Sequence, residues 1–273
     1  MKVLLTNDDG IAATGLGVMR RALLEVPGIE LAVIAPDSNR SATARSITIH
    51  EPLWVEEVEF GDGTTGYATD GTPVDCVRFA ALGLVEHRPE IIVSGINHGS
   101  NLGDDITYSG TVAAALEGIM LGIPAIAVSQ QADHGEMDFR AGNSWSRGHF
   151  EQAAGFIARL VEGLEDVPIP AGTLLNVNSP AAEARGVKVG RLGKRVYNDR
   201  MELAEEDGEG RRRYTMYGVE PGYQHEDGTD FAAIAAGYIA VTPLHFDLTD
   251  QAGIDRLSGF ELDRLLRPAA REV

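Results

Sequence analysis

The sequence predicts an α/β fold with a doubly wound, mostly parallel sheet and helices on both faces. Short apolar runs alternate with segments of helical periodicity, which is the pattern of repeated βαβ units. Several apolar runs end in glycine, asparagine or acidic residues, as strands do at the ligand-binding edge of an open sheet. The chain has 273 residues, enough for one large core, so we predict a single domain over residues 1–273.

The predicted strands of the mostly parallel sheet are short aliphatic runs bounded by turn signals. The first leads directly into two acidic residues, the second is stopped by Pro36, and the third leads into a glycine-rich loop. In chain order the runs cover residues 3–5, 31–35, 91–93, 125–128, 174–177 and 238–242. Alternation and β-branched residues predict antiparallel additions at 47–49 and 54–58, which completes a Rossmann-like sheet.

The predicted helices carry apolar or small residues at helical spacing. Pro27 and Gly28 end the first helix, and Pro73 lies in the first turn of the second. The third is rich in alanine, so it should pack closely on the sheet. In chain order the helices cover 15–26, 73–84, 111–121, 150–164 and 255–266, the last within a C-terminal helical segment at 250–273.

Residues 191–224 differ from the rest of the chain. They are polar and charged, with an acidic cluster at 205–207 and three arginines at 211–213. We interpret them as an extended arm or β-hairpin that projects from the body; the alternative is a solvated loop. The core pattern returns at 230–232.

The charge and the cysteine content of the chain limit its possible binding partners and its compartment. The net charge is −18, with 41 acidic residues against 23 lysines and arginines, so the surface should repel nucleic acid polymers and anionic membranes. A single cysteine, Cys76, excludes an intrachain disulfide and suits a reducing compartment. We expect a cytoplasmic protein because no signal peptide or membrane span is recognisable.

The first predicted strand delivers two adjacent carboxylates, Asp8 and Asp9, to its carboxyl end, and Gly10 follows them. Two neighbouring acids repel each other, and a hard divalent cation is the usual reason to hold them together. The alternative is a turn with solvated acids. Their position directly after a buried strand favours metal binding.

Two further loops should open at the same edge of the sheet. Residues 36–42 follow the second strand and offer hydroxyls, an amide and one arginine. Residues 94–105 follow the third strand and are rich in glycine and asparagine, so that Asn97 could give a carbonyl oxygen to a hard cation. Ordinary polar loops are the alternative for both.

The start of the alanine-rich helix is a candidate anion site. Ser109, Gly110 and Thr111 place two hydroxyls and unpaired backbone N–H groups at a helix N-terminus. The alternative is a plain N-cap by Ser109, and both roles can hold at once.

At this point several motifs together resemble the survival protein E (SurE) family. They occur in the family's order over residues 3 to about 250: Thr6-Asn7-Asp8-Asp9-Gly10, Gly71-Thr72-Pro73, Ser94-Gly95-Ile96-Asn97, Tyr108-Ser109-Gly110-Thr111, Gly228-Thr229-Asp230-Phe231 and Thr242-Pro243-Leu244-His245. The resemblance implies a metal-dependent phosphoric monoester hydrolase, a 5'/3'-nucleotidase acting on nucleoside monophosphates, with exopolyphosphatase activity in addition. It also implies a homodimer or homotetramer that exchanges the arm and the C-terminal segment.

The resemblance also implies site residues. One Mg²⁺ or Mn²⁺ per subunit would be held by four oxygen ligands from Asp8, Asp9, Ser41 and Asn97. Phosphate would bind to Asn101, Ser109, Gly110 and Thr111. Two positions depart from the family pattern, since Ala42 stands for a usual glycine and His98 for a usual small residue, but neither is a ligand.

Asp8 and Asp9 are the predicted catalytic residues. The sequence does not assign the role of metal ligand to one and of general base to the other. One alternative is covalent catalysis by an aspartyl-phosphate, although the haloacid dehalogenase type uses Asp-x-Asp rather than adjacent acids. Another is a non-catalytic oligomer that binds metal and nucleotide as a sensor.

Overall fold

The structure is a computed structural model that describes residues 1–133, 145–216 and 222–266. The strands in these ranges are β1 Lys2–Thr6, β2 Glu30–Pro36, β3 Val55–Glu59, β4 Thr65–Thr69, β5 Ile91–His98, β6 Ala125–Gln130, β7 Thr173–Ser179, β8 Val187–Val189, β9 Arg195–Val196, β10 Glu202–Glu206, β11 Arg212–Thr215, β12 Gly222–Tyr223 and β13 Ile239–His245. The helices are α1 Thr14–Leu24, α2 Pro73–Ala81, α3 Gly110–Met120, α4 Arg147–Glu162, α5 Asp230–Ala235 and α6 Gln251–Ser258. Short 3-10 turns cover Gly103–Thr107, Leu164–Asp166 and Leu262–Leu266.

One mixed sheet organises the described residues, in the order β3-β4-β2-β1-β5-β6-β7-β13-β8. The central strands β2, β1, β5, β6 and β7 are parallel, whereas β3 is antiparallel to β4 and β13 to β7. The chain runs from β1 to β2 on one side and then crosses to β5 on the other. Strand order therefore reverses at β1, where the following loops separate and leave a crevice at the carboxyl edge.

Hydrophobic clusters cover both faces of the sheet. Successive residues of β1 alternate between them: Leu5 packs with α1 and α4 on one face, and Leu4 packs with α2 and α3 on the other. Both leucines are fully buried, and each such side chain contributes about 1.5–3 kcal/mol of burial free energy. Alanines 113–115 let α3 lie close to the sheet, as the sequence predicts.

The predicted α/β sheet and its helices are confirmed, with corrections to individual elements. Residues 47–49 do not form a strand, because the Thr48 backbone N–H and hydroxyl donate to Asp75 at the start of α2 (3.1 and 2.8 Å) instead of to a neighbouring strand. Strands β4 and β8 were not predicted. Strand β5 runs on to His98, through residues that the glycine content assigned to a loop; a register irregularity after Ser94 accommodates them.

The predicted arm contains an exposed antiparallel hairpin made of β10 and β11. Cross-strand ion pairs join its strands, Glu205 to Arg213 and Glu206 to Arg212, each at 3.2 Å. At the root of the hairpin β9 pairs with β12. Residues 217–221 of the predicted arm and 267–273 of the C-terminal segment lie outside the described residues.

The last predicted helix, 255–266, is corrected in its bounds. Helix α6 begins earlier and ends at Ser258, followed by the 3-10 turn Leu262–Leu266, and both are exposed. Gly259, Phe260 and Glu261 separate the two pieces. None of the helices in the described ranges has the length and hydrophobicity that crossing a bilayer requires.

Candidate metal and phosphate site

The turn after β1 presents Asp8 and Asp9 at the carboxyl edge of the sheet. The Asn7 side chain closes this turn, donating to Gly10 O (2.9 Å) and accepting from the Gly10 N–H (3.2 Å). Gly10 has a φ of +101°, and a Cβ there would lie 3.1–3.3 Å from the backbone of Ser38. Glycine is therefore needed both for the left-handed backbone and for the close approach of the loop after β2.

Asp8 is buried against the start of α3. Its Oδ1 accepts a hydrogen bond from the Thr111 hydroxyl (2.5 Å), and the side chain is in close contact with Gly110. Burial and the neighbouring Asp9 charge raise the pKa of Asp8, while hydrogen bonds from Thr111 act in the opposite direction. The N-terminus of α3 is thus packed directly on one of the two predicted catalytic carboxylates.

Asp9 receives hydrogen bonds from the end of β5 and from the loop after β2. The His98 backbone N–H donates to its Oδ2 (3.0 Å), and the Asn39 side chain donates to its Oδ1 (3.2 Å). Burial raises the pKa of Asp9, and the His98 hydrogen bond only partly offsets this. Asp9 therefore ties together the ends of β1, β2 and β5.

His98 forms an aromatic wall beside Asp9. Its ring stacks on Trp145 and packs against Phe150, with centroids 5.2 and 5.0 Å away. Its Nε2 accepts from the Gly15 N–H (3.3 Å), which places the ring proton on Nδ1, 3.9 Å from Asp9 Oδ1. Burial lowers the pKa of His98 to about 4, so the ring is neutral near pH 7 and does not compensate the acids.

The two carboxylates lack a protein counter-charge within the described ranges. No lysine or arginine of those residues forms an ion pair with either acid, and the guanidinium of Arg40, in the loop after β2, instead contacts Asp37 (2.9 Å) and Asp70 O (3.1 Å). Two adjacent buried carboxylates are costly without a cation. Their oxygen donors fit a hard divalent ion such as Mg²⁺ or Mn²⁺.

The remaining predicted ligands lie on the two neighbouring loops. Ser41 follows Arg40, whose N–H donates to Asp8 O (2.7 Å), and the Ser41 N–H donates to Asn39 Oδ1 (2.8 Å). Asn97 donates its amide nitrogen to Gly99 O (2.8 Å), which leaves its amide oxygen as the atom able to ligate. In the described residues no group of three or more His, Cys, Asp or Glu is arranged for a metal. Serine and asparagine would therefore have to complete the donor set.

The predicted phosphate residues line the start of α3 and the segment before it. Ser109 is confirmed as the N-cap, since its hydroxyl accepts from the Val112 N–H (3.1 Å). Asn101 donates an amide hydrogen to the Ser129 hydroxyl (2.8 Å), and an amide group carries a second hydrogen able to donate. Phosphate binding by Asn101, Ser109, Gly110 and Thr111 stays a prediction.

Sequence reasoning missed Asn39 and the backbone of His98 as direct contacts of Asp9. Both contacts arise because β1 lies between β2 and β5 in the sheet. The signal available was that these residues occupy loops predicted to open at the same edge, but loop direction alone does not say which atoms meet.

Comparison with known proteins gives a consistent picture. A family model described as "Survival protein SurE" matches residues 3–199. A protein named 5'-nucleotidase SurE from Rubrobacter xylanophilus is 51% identical over 97% of this chain and 99% of its own length. A protein of the same name from Chloroflexus aggregans is 44% identical over 96% of this chain and 99% of its own. The crystal structure of the SurE protein from Aquifex aeolicus superposes with a TM-score of 0.75 at 38% identity, covering 94% of this chain and all of that one.

Proposed function

Since the chain belongs to the survival protein SurE family, we propose that it is a nucleotidase that hydrolyses nucleoside 5'-monophosphates to nucleoside and phosphate. The structural observation that carries this proposal is the pair of adjacent carboxylates at the carboxyl edge of the sheet, of which Asp8 is buried against the N-terminus of α3. An anion-binding helix start beside a candidate cation site is suited to a phosphomonoester.

The metal is part of the proposal. Asp8, Asp9, Ser41 and Asn97 would hold one Mg²⁺ or Mn²⁺ per subunit, because the donor set is all oxygen and the two acids have no other counter-charge among the described residues. Such an ion supplies Lewis-acid chemistry, offsetting negative charge on the phosphoryl oxygens.

The chain's own residues then bind and orient the substrate. The first N–H groups of α3 have no partner one helical turn earlier; that of Thr111 interacts with Asp8 and that of Val112 with the Ser109 hydroxyl, and the Gly110 N–H would hold a remaining phosphate oxygen. The Thr111 hydroxyl fixes one oxygen of Asp8, and Asn39 and the His98 N–H fix both oxygens of Asp9. The ring of His98, with Trp145 behind it, shields Asp9 from solvent on that side.

The proposal also covers further substrates and the oligomeric state. We expect action on nucleoside 3'-monophosphates and exopolyphosphatase activity as further reactions of this site. We also expect a cytoplasmic homodimer or homotetramer. The exposed apolar side chains of the hairpin and of the C-terminal segment support association, among them Leu203, Tyr214, Leu257 and Phe260.

The test is phosphate release from a panel of 5'- and 3'-nucleoside monophosphates, assayed on chelator-treated protein with and without added Mn²⁺ or Mg²⁺. Metal-dependent release is expected. Asp9→Asn should lower turnover about a thousandfold or more, because a charged metal ligand is lost. Asp62→Asn, the same change at the remote turn between β3 and β4, is the matched control.

Two outcomes would contradict the proposal. Near-parental turnover of the Asp9→Asn protein with metal present would show that Asp9 is not a catalytic residue. Tight nucleotide binding by folded protein, without phosphate release under either metal, would favour the sensor alternative. Acid quenching of a single turnover with substrate labelled in its phosphoryl group separates the covalent alternative, because the label would then be found transiently on the enzyme as an aspartyl-phosphate.

A further inference from the structure

The segment from Asn101 to Gly110 connects the two parts of the candidate phosphate site. Its middle is the 3-10 turn Gly103–Thr107, and the turn is fixed to the root of the hairpin. The Asp105 carboxylate takes two hydrogen bonds on Oδ2 from Arg195, at 2.8 and 2.5 Å. The Tyr197 hydroxyl donates to its Oδ1 (2.7 Å). Both carboxylate oxygens are therefore held by residues that lie about 90 positions further along the chain.

The ion pair at the centre of this cluster is buried. The Arg195 side chain is 0% exposed and that of Asp105 8%, so water screens the pair very little. The guanidinium lies over the Phe231 ring, 4.5 Å from its centroid. The Arg195 backbone N–H donates to Asp104 Oδ2 (3.0 Å), which adds a second attachment to the same turn.

Asp230 fixes the beginning of the turn. It accepts hydrogen bonds from the backbone N–H groups of Gly103 and Gly193, both at 2.8 Å. The adjacent Phe231 ring fills the space where a Cβ on either glycine would lie, at 2.5 and 2.4 Å. The hairpin root and the turn are thus in direct contact along their backbones.

The chain continues from the attached turn directly into the start of α3. The Tyr108 N–H donates to Asp105 O (2.9 Å), and Ser109 follows as the N-cap. At the other end the side chains of Asn176 and Asn178 donate to Asn101 O (2.9 and 3.0 Å). Between these two ends Arg195 and Tyr197 hold the Asp105 carboxylate and so attach the middle of the turn to the hairpin root.

We propose that Arg195, with Tyr197, is a positioning residue of the candidate active site: through Asp105 it holds the 101–110 segment and the N-terminus of α3 in the geometry that binds phosphate. The proposal rests on the proposed function. The Arg195–Asp105 ion pair contacts none of the predicted metal ligands, so its effect on catalysis would pass through the 101–110 segment.

The chain offers a matched control for this ion pair. Arg20 also has a buried side chain, 5% exposed, also contacts an aspartate, Asp62 (2.5 Å), and also lies over a phenylalanine ring, Phe60 (4.2 Å). It joins α1 to the turn between β3 and β4 instead of supporting the 101–110 segment. Comparison of the two arginines separates a positioning role from a purely structural one.

The experiment compares Arg195→Lys, Tyr197→Phe and Arg20→Lys with the parent chain, loaded with Mn²⁺. Arg195→Lys should lower kcat about tenfold or more and weaken the affinity for inorganic phosphate by a similar factor, since small displacements of binding groups are costly. Tyr197→Phe, which removes a single hydroxyl, should act in the same direction by about threefold. Mn²⁺ affinity, measured by calorimetry, should stay within about twofold because its ligands lie on other segments. Arg20→Lys should lower the melting temperature and leave kinetics and phosphate affinity unchanged.

Hydrogen exchange gives a readout that does not depend on turnover. In Tyr197→Phe the amides of residues 101–110 should exchange faster than in the parent, whereas those of β1 should not. Unchanged phosphate affinity and kcat in both Arg195→Lys and Tyr197→Phe, with only a lower melting temperature, would overturn the proposal. If the parent itself releases no phosphate from any nucleotide, the proposed function fails, and phosphate affinity with exchange still decides the role of Arg195.

Discussion

Gly110→Ala tests whether the contact between α3 and Asp8 is needed for activity. A Cβ at this position would lie 2.7 Å from Asp8 Cβ and 2.9 Å from Asp8 Oδ2. Ordinary contact begins near 3.4 Å, so Asp8 and the helix start must separate by about 0.7 Å. A shift of this size at a reacting group costs up to about a hundredfold in rate. Overpacking should also lower the free energy of unfolding by about 1–3 kcal/mol.

Gly118→Ala is the control on the same helix. A Cβ there would lie 2.6 Å from Ile92 Cδ1, the flexible end of a side chain, about 12 Å further along α3. We expect a comparable change in stability with parental kcat. Kinetics, Mn²⁺ titration and urea unfolding would be measured on both variants. Parental turnover and Mn²⁺ affinity in Gly110→Ala would refute the reasoning.

Three further outcomes follow from features of the structure. Removing the divalent metal with chelator should lower the melting temperature, measured by calorimetry, by about 5–10 °C relative to protein in which free metal is at a hundred times its dissociation constant. An unchanged melting temperature would contradict a native metal site. Ala42→Gly should raise the free energy of unfolding by about 0.5–1 kcal/mol in urea titrations, because Ala42 has a φ of +58°, and a loss of stability would count against that strain. Cys76 is buried and its thiol pKa is raised by desolvation, so it should react with a thiol reagent only in denaturant, and rapid native labelling would contradict its placement.

The sequence predicted those parts of the fold that depend on local pattern. The apolar run of β1 and the acids after it were recognisable because a buried strand and a polar ligand edge have different compositions. The N-cap of α3 was recognisable for the same local reason. The end of β5 was not, since Gly95 and Asn97 have low strand propensity, and pairing with β6 overrides that preference.

Contacts between distant segments could not be predicted. The Asp105–Arg195 pair and the hydrogen bond from Asn39 to Asp9 depend on strand order and loop direction, which composition does not encode. Ala42 shows the intermediate case. The resemblance marked it as a substituted glycine, and the structure shows that it keeps the left-handed backbone that glycine adopts freely.

The position of β1 between β2 and β5 also sets the order in which the site can be assembled during synthesis. Asp8 and Asp9 are among the first residues translated, but β1 pairs with β5 in the register Val3 to Ile91. At about 5–20 residues per second, roughly 90 residues take about 5–20 s to translate. Until then the His98 N–H cannot reach Asp9, and α3 cannot reach Asp8. Capture of a divalent ion by a nascent chain would therefore report that the central strands have joined.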